Sequence, residues 1–222
     1  MFWILALSHL LADYPLQTDR MVRAKRRLPG LALHVGIHWL VMTALTWQSY
    51  RLMWPIVLGI TIVHFGIDAI KNYLMSRYPE RVIGPYFLDQ FLHVISLVVA
   101  GLLIQGTDSV VVWEAPLLPL LLTGLVLCTY VASVTERILV HDHPALLEEI
   151  ERTQYLRFAT RSLLFLLLAL AIGPAIVLAL IWAAAMYFYY RRRRFSSNWL
   201  VYDVVVSVIA ALFIAIPATF LG

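Results

Sequence analysis

The chain has 222 residues, 62% of them hydrophobic and 14% charged, with a mean hydropathy of +0.82. This excludes an ordinary soluble domain and points to a polytopic membrane protein whose core lies between helices and lipid. The net charge of +4 does not indicate a nucleic-acid partner, because the basic residues cluster in short segments between apolar runs. A single cysteine, Cys128, excludes an intrachain disulfide and a thiolate metal site.

The first apolar run predicts a short helix over residues 2–16; without a basic leader or a small-residue cleavage site it is expected to stay in the mature chain. A basic loop follows and ends at Pro29-Gly30, and helix two covers 31–48. Residues 49–54 read as a brief turn before Pro55, which suits the first turn of helix three, expected to reach residue 72. A second basic loop occupies 73–85, helix four 86–104, and an acidic loop carries Asp108 and Glu114. Helix five is expected from Pro116 to residue 135, and a short amphipathic helix at 144–151. The apolar run 155–190 is too long for one ordinary span, and Gly173-Pro174 near its middle predicts a hairpin of helices six and seven. Four arginines, Arg191 to Arg194, precede helix eight at 198–221. The fold class is therefore all-α, a transmembrane bundle of about eight helices, or seven if 155–190 is one long helix. Residues 1–105 form a metal-site half and 106–222 a supporting half of one domain.

With eight spans and the N-terminus outside, 16 of the 17 Lys and Arg fall on the cytoplasmic side, leaving Arg51 outside. This agrees with the positive-inside tendency and predicts that the basic segments face the cytoplasm.

Four polar pairs in the first 93 residues are each spaced by four: His9 with Asp13, His34 with His38, His64 with Asp68, and Asp89 with His93. On a helix each pair projects from one face. In this topology Asp13, His34, Asp68 and Asp89 form an outer layer near the cytoplasmic ends. His9, His38, His64 and His93 lie about 6 Å deeper at 1.5 Å per residue. Aspartates that close together need a cation between them, and ionisable groups inside a membrane mark functional sites. The eight residues are thus expected to hold one or two divalent metal ions. Zinc is favoured and iron or manganese fits the same ligands, whereas the lack of thiolates argues against copper(I). A pair of haems would leave the aspartates unexplained.

The strings His-Leu-Leu-Ala-Asp-Tyr-Pro-Leu-Gln-Thr-Asp (9–19), His-Val-Gly-Ile-His (34–38), His-Phe-Gly-Ile-Asp-Ala-Ile-Lys (64–71) and Asp-Gln-Phe-Leu-His (89–93) carry a resemblance. They resemble a family of bacterial integral membrane proteins catalogued as a domain of unknown function. The second half is similar more loosely, through Glu136-Arg137, Arg157, Arg161 and Tyr202-Asp203. The resemblance implies membrane location but no activity. A weaker likeness, in ligand type only, links the chain to membrane-embedded metal-dependent hydrolases.

The expected function is a metal-dependent hydrolase acting on a lipid or lipid-phosphate at the cytoplasmic leaflet, with Asp13 or Asp89 as general base. The alternatives are a membrane di-iron redox enzyme and a metal ion or proton transporter. Lys71 is expected near the outer layer, where it would bind an anion or snorkel to the interface. Gln17 and Gln90 flank the site, Arg161 and Asp203 read as an interhelical ion pair that Glu136 could join, and His141-Asp142-His143 reads as a solvated cluster.

Overall fold

The structure, a computed structural model, describes residues 2–104, 117–169, 173–193 and 197–221. Among these the chain is all helical, as composition and periodicity predict. It divides into two compact units, Met1–Pro119 and Leu120–Gly222.

In the first unit α1 (Phe2–Asp13), α3 (Leu28–Leu45), α4 (Tyr50–Arg77) and α5 (Ile83–Ile104) close a ring in which each helix packs on two others. The sequence dictates which face turns inward. On α5 the buried residues are Tyr86, Asp89, His93, Leu97, Ala100 and Ile104, a stripe of three- and four-residue steps. The opposite faces expose Leu33, Leu40, Ile62, Phe91 and Leu103, as a lipid-facing surface would. The ring is apolar at one end, where Leu5, Met42, Met53, Val57, Ile60, Leu97, Ala100 and Ile104 pack together. Its polar pairs sit nearer the other end of each of these four helices.

Several expected boundaries move. The basic loop after α1 contains a short helix, α2 (Asp19–Ala24), started by Thr18, whose hydroxyl accepts the Met21 N–H at 3.3 Å. Pro29 and Gly30 belong to the first turn of α3, not to the loop before it, because proline there gives up no helical bond. The helix containing Pro55 starts at Tyr50, so the proline lies in its second turn and only one backbone bond is lost near the helix start. That helix also continues beyond residue 72 to Arg77, and α5 starts at Ile83.

The second unit takes up α6 (Leu117–Val126) from Leu120 onward, and the last residues of α6 run into a π-helical turn at Leu127–Val131 and then α7 (Ala132–Leu139). Together they make one continuous span in which Thr129 bonds back to the Leu125 carbonyl at 2.6 Å. After a turn, α8 runs unbroken over Pro144–Ala169, so 144–151 is not a separate amphipathic helix. No glycine or proline interrupts residues 145–169, which leaves nothing to end the helix there. α9 (Gly173–Arg193) packs against α8, which rules out one long helix over 155–190, and α10 (Ser197–Leu221) packs on both. Asp108, Glu114, Pro116 and Arg194 lie outside the described residues.

Among the described residues four helices are long and apolar enough to cross a membrane: Leu28–Leu45, Arg51–Arg77, Ile83–Ile104 and Leu117–Leu139. Phe2–Asp13 and Asn198–Phe213 are apolar but shorter. By length and composition these segments mark a membrane protein.

Candidate metal centre

The four-residue spacing places each pair on the inward stripe of its helix, and ring closure then makes the stripes face one another. The histidine rings pack against one another: His38 and His64 have centroids 3.7 Å apart, His64 and His93 stack at 4.4 Å, His9 and His93 lie tilted at 4.7 Å, and His34 meets His38 edge-on at 4.8 Å. All five are at most 4% exposed.

Asp13 is the hub. Its Oδ1 lies 3.0 Å from His38 Nε2, 3.1 Å from His34 Nε2 and 4.0 Å from His64 Nε2, while Oδ2 lies 3.3 Å from His9 Nε2. Asp68 Oδ2 approaches His34 Nε2 at 3.3 Å and His64 Nε2 at 3.6 Å. Two groups of donor atoms result, each within 4.8 Å: His9, Asp13, His38 and His64, and the overlapping set His34, His64 and Asp68. Ligands around a tetrahedral zinc at ~2.0–2.2 Å stand roughly 3.3–3.6 Å apart, so the first set would close on a zinc-sized ion by side-chain shifts of about an ångström.

Asp89 and His93 stand apart from both groups. Lys71 Nζ donates to Asp89 Oδ2 at 2.6 Å, and Gln90 Nε2 donates to the same oxygen at 2.9 Å. Asp89 Oδ1 has no hydrogen-bond partner, and neither ring nitrogen of His93 has one, although both side chains are buried. His93 Nδ1 is 3.7 Å from that free oxygen. Tyr14 bonds Gln90 Oε1 at 2.9 Å and lies 3.2 Å from the Tyr86 hydroxyl, so a tyrosine pair braces the group that holds Asp89. Gln17 reaches both Asp13 Oδ1 and His34 Nε2 at 3.3 Å.

The residue the sequence hid is Lys25. It sits in a run of basic residues whose Arg20, Arg23, Arg26 and Arg27 are exposed, yet it is itself buried. Its Nζ lies 3.4 and 3.5 Å from the two oxygens of Asp68. No spacing rule could single it out, since the contact joins positions 43 residues apart. Lys71, by contrast, follows Asp68 by three residues and shares its helix face. It pairs with Asp89 rather than snorkelling outward.

The second unit holds its own buried charges. Arg157 bonds Asp203 through Nε at 3.1 Å and Nη2 at 2.7 Å, and Glu136 through Nη1 at 2.9 Å. Arg161 bonds Asp203 through Nε at 2.6 Å, Ser133 at 3.2 Å, and also Glu136. The expected Arg161–Asp203 pair is thus one side of a four-membered network. Arg157, expected on the cytoplasmic side near the start of helix six, is buried within α8 as part of it. Two guanidiniums against two carboxylates balance, and the many hydrogen bonds make burial tolerable. In the turn before α8, His141 Nε2 is 3.1 Å from Asp142, whose side chain is 79% exposed; no metal-ligand group forms there among the described residues.

All four His/Asp strings fall inside a longer match: a family model described as a protein of unknown function, DUF3307, covers residues 1–118. The chain belongs to the DUF3307 family. The matched stretch is almost coextensive with the first compact unit, so the family is defined by the four-helix ring that carries the histidines and aspartates. Neither a curated protein nor a solved structure matches the chain.

Proposed function

We propose that this protein is a metal-dependent hydrolase of the bacterial inner membrane, acting on a lipid or lipid-phosphate at the cytoplasmic leaflet. The observation that carries the reading is the donor set of His9, Asp13, His38 and His64, buried inside a ring of apolar helices. A divalent ion bound there, zinc by preference, would acidify a bound water and polarise an ester or phosphoryl oxygen. Asp13 serves as a ligand in this reading, so Asp89 is the better candidate for accepting a proton. Its Oδ2 is held by Lys71 and Gln90, and its Oδ1 is left free beside His93. The exposed arginines of α2 and its flanks would attract an anionic head group to the same end of the ring.

Orientation, with the N-terminus outside, rests on the exposed arginines, since Lys25, Lys71, Arg157 and Arg161 are engaged in ion pairs. Elemental analysis of the purified protein tests the reading. A transition metal lost in His38→Ala and His64→Ala is the expected result; no metal, or metal unchanged by both substitutions, would refute it. Paired irons with visible absorption would favour a membrane oxidase, and metal flux in proteoliposomes a transporter.

A further inference from the structure

The balance of charge inside the ring limits the number of ions it can take, on the premise that the site proposed above binds metal. Three carboxylates, Asp13, Asp68 and Asp89, face two ammonium groups, Lys25 and Lys71. With neutral imidazoles the cluster carries one negative charge. A single divalent ion changes this to one positive charge, and a hydroxide on that ion brings it to zero. Two divalent ions would leave three positive charges, or two with the same hydroxide, in a buried site, where each uncompensated charge costs several kcal/mol.

The ligand geometry leads to the same count. The two donor groups share His64, whose Nε2 lies 4.0 Å from Asp13 Oδ1 and 3.6 Å from Asp68 Oδ2, and an imidazole nitrogen offers one lone pair to one ion. The remaining anionic donor of the second group, Asp68, already has a cation in place. Lys25 is positioned there by construction, not by chance contact. Asn72, one turn beyond Asp68 on α4, donates to the Lys25 carbonyl at 2.7 Å. Ala24, the preceding residue, lies so close to Gly30 of α3 that a Cβ on Gly30 would fall 2.1 Å from the Ala24 carbonyl oxygen. Glycine lets the end of α2 seat directly on α3, and the seating aims the lysine into the ring.

We propose that Lys25 is a built-in cation which closes a second metal position formed by His34, His64 and Asp68, and so fixes the centre at one divalent ion. Lys25→Met removes the ammonium while retaining much of the aliphatic stem. Asp68 then becomes a carboxylate without its ammonium partner, open to a second ion, which binds more weakly because His64 stays with the first ion and leaves only His34 and Asp68 to hold it.

The test is zinc titration of the full-length protein in detergent, with calorimetry and elemental analysis of the loaded, desalted sample. The wild type is expected to hold one zinc per chain, Lys25→Met to rise to two, and Lys25→Arg to stay at one. Asn72→Ala, which touches no donor atom, loosens the strap and is expected to exceed one if Lys25→Met does not fold. Two zinc ions in the wild type would overturn the role of Lys25 while leaving the metal centre intact. One zinc in both Lys25→Met and Asn72→Ala would also overturn it. No zinc in the wild type would remove the metal centre itself.

Discussion

Asp13 and Asp89 look alike in the sequence, each four residues from a histidine, but the structure gives them different work. Asp13 is the only carboxylate in the four-residue donor set, approached by imidazoles at 3.0, 3.1 and 3.3 Å. Asp89 is neutralised by Lys71 at 2.6 Å and joins no donor group. The isosteric pair Asp13→Asn and Asp89→Asn separates these roles. Four-ligand structural zinc sites bind with roughly 10–16 kcal/mol, so one ligand is worth about 3 kcal/mol, or about 100-fold in affinity. Asp13→Asn is therefore expected to weaken zinc binding about 100-fold. Asp89→Asn acts from outside the donor set and is expected to change it less than about tenfold. Competition against a chromogenic chelator at fixed pH, in detergent, reads both. Equal losses in the two variants would mean that all the pairs ligate alike, and the division drawn here would fail.

Other consequences are open to measurement. Asp203→Ala leaves Arg157 and Arg161 facing Glu136 alone in a fully buried setting, and is expected to destabilise the protein by about 3–5 kcal/mol in thermal unfolding. A loss under about 1 kcal/mol would show the network to be dispensable. Gly30→Ala forces the end of α2 away from α3 by about 1 Å, since a backbone oxygen stands 2.1 Å from the new Cβ. Trypsin should then cut at Arg20, Arg23 or Arg26 faster than in the wild type, and an unchanged rate would contradict the close seating. Zinc at 100 times its dissociation constant should raise stability by about 2.7 kcal/mol. Chelation should abolish that gain in the wild type and do nothing to His38→Ala.

Much of this protein is legible along the chain. Helicity, apolar length and a four-residue repeat of His and Asp are local properties, because a helix places residues one turn apart on one face whatever surrounds it. Hence the all-helical fold, the membrane-length segments, the family strings and the placement of each His/Asp pair on one helix face are legible in the sequence. Helix ends are less legible. Pro55 and Pro29-Gly30 signal a break in isolation, yet a helix tolerates proline within its first turns, and only packing reveals where the first turn begins.

What tertiary structure alone decided is which charges meet. Lys25 reads as one more basic loop residue until α2 seats on Gly30 and delivers it to Asp68. Arg157 reads as one more basic residue at the cytoplasmic end of a helix until α8 carries it between Glu136 and Asp203. Sequence spacing determines direction from a helix axis, whereas the partner of a buried ion is set by contacts between residues tens of positions apart. In a low-dielectric interior those distant partners settle whether a carboxylate is left free to hold a metal or is already paired.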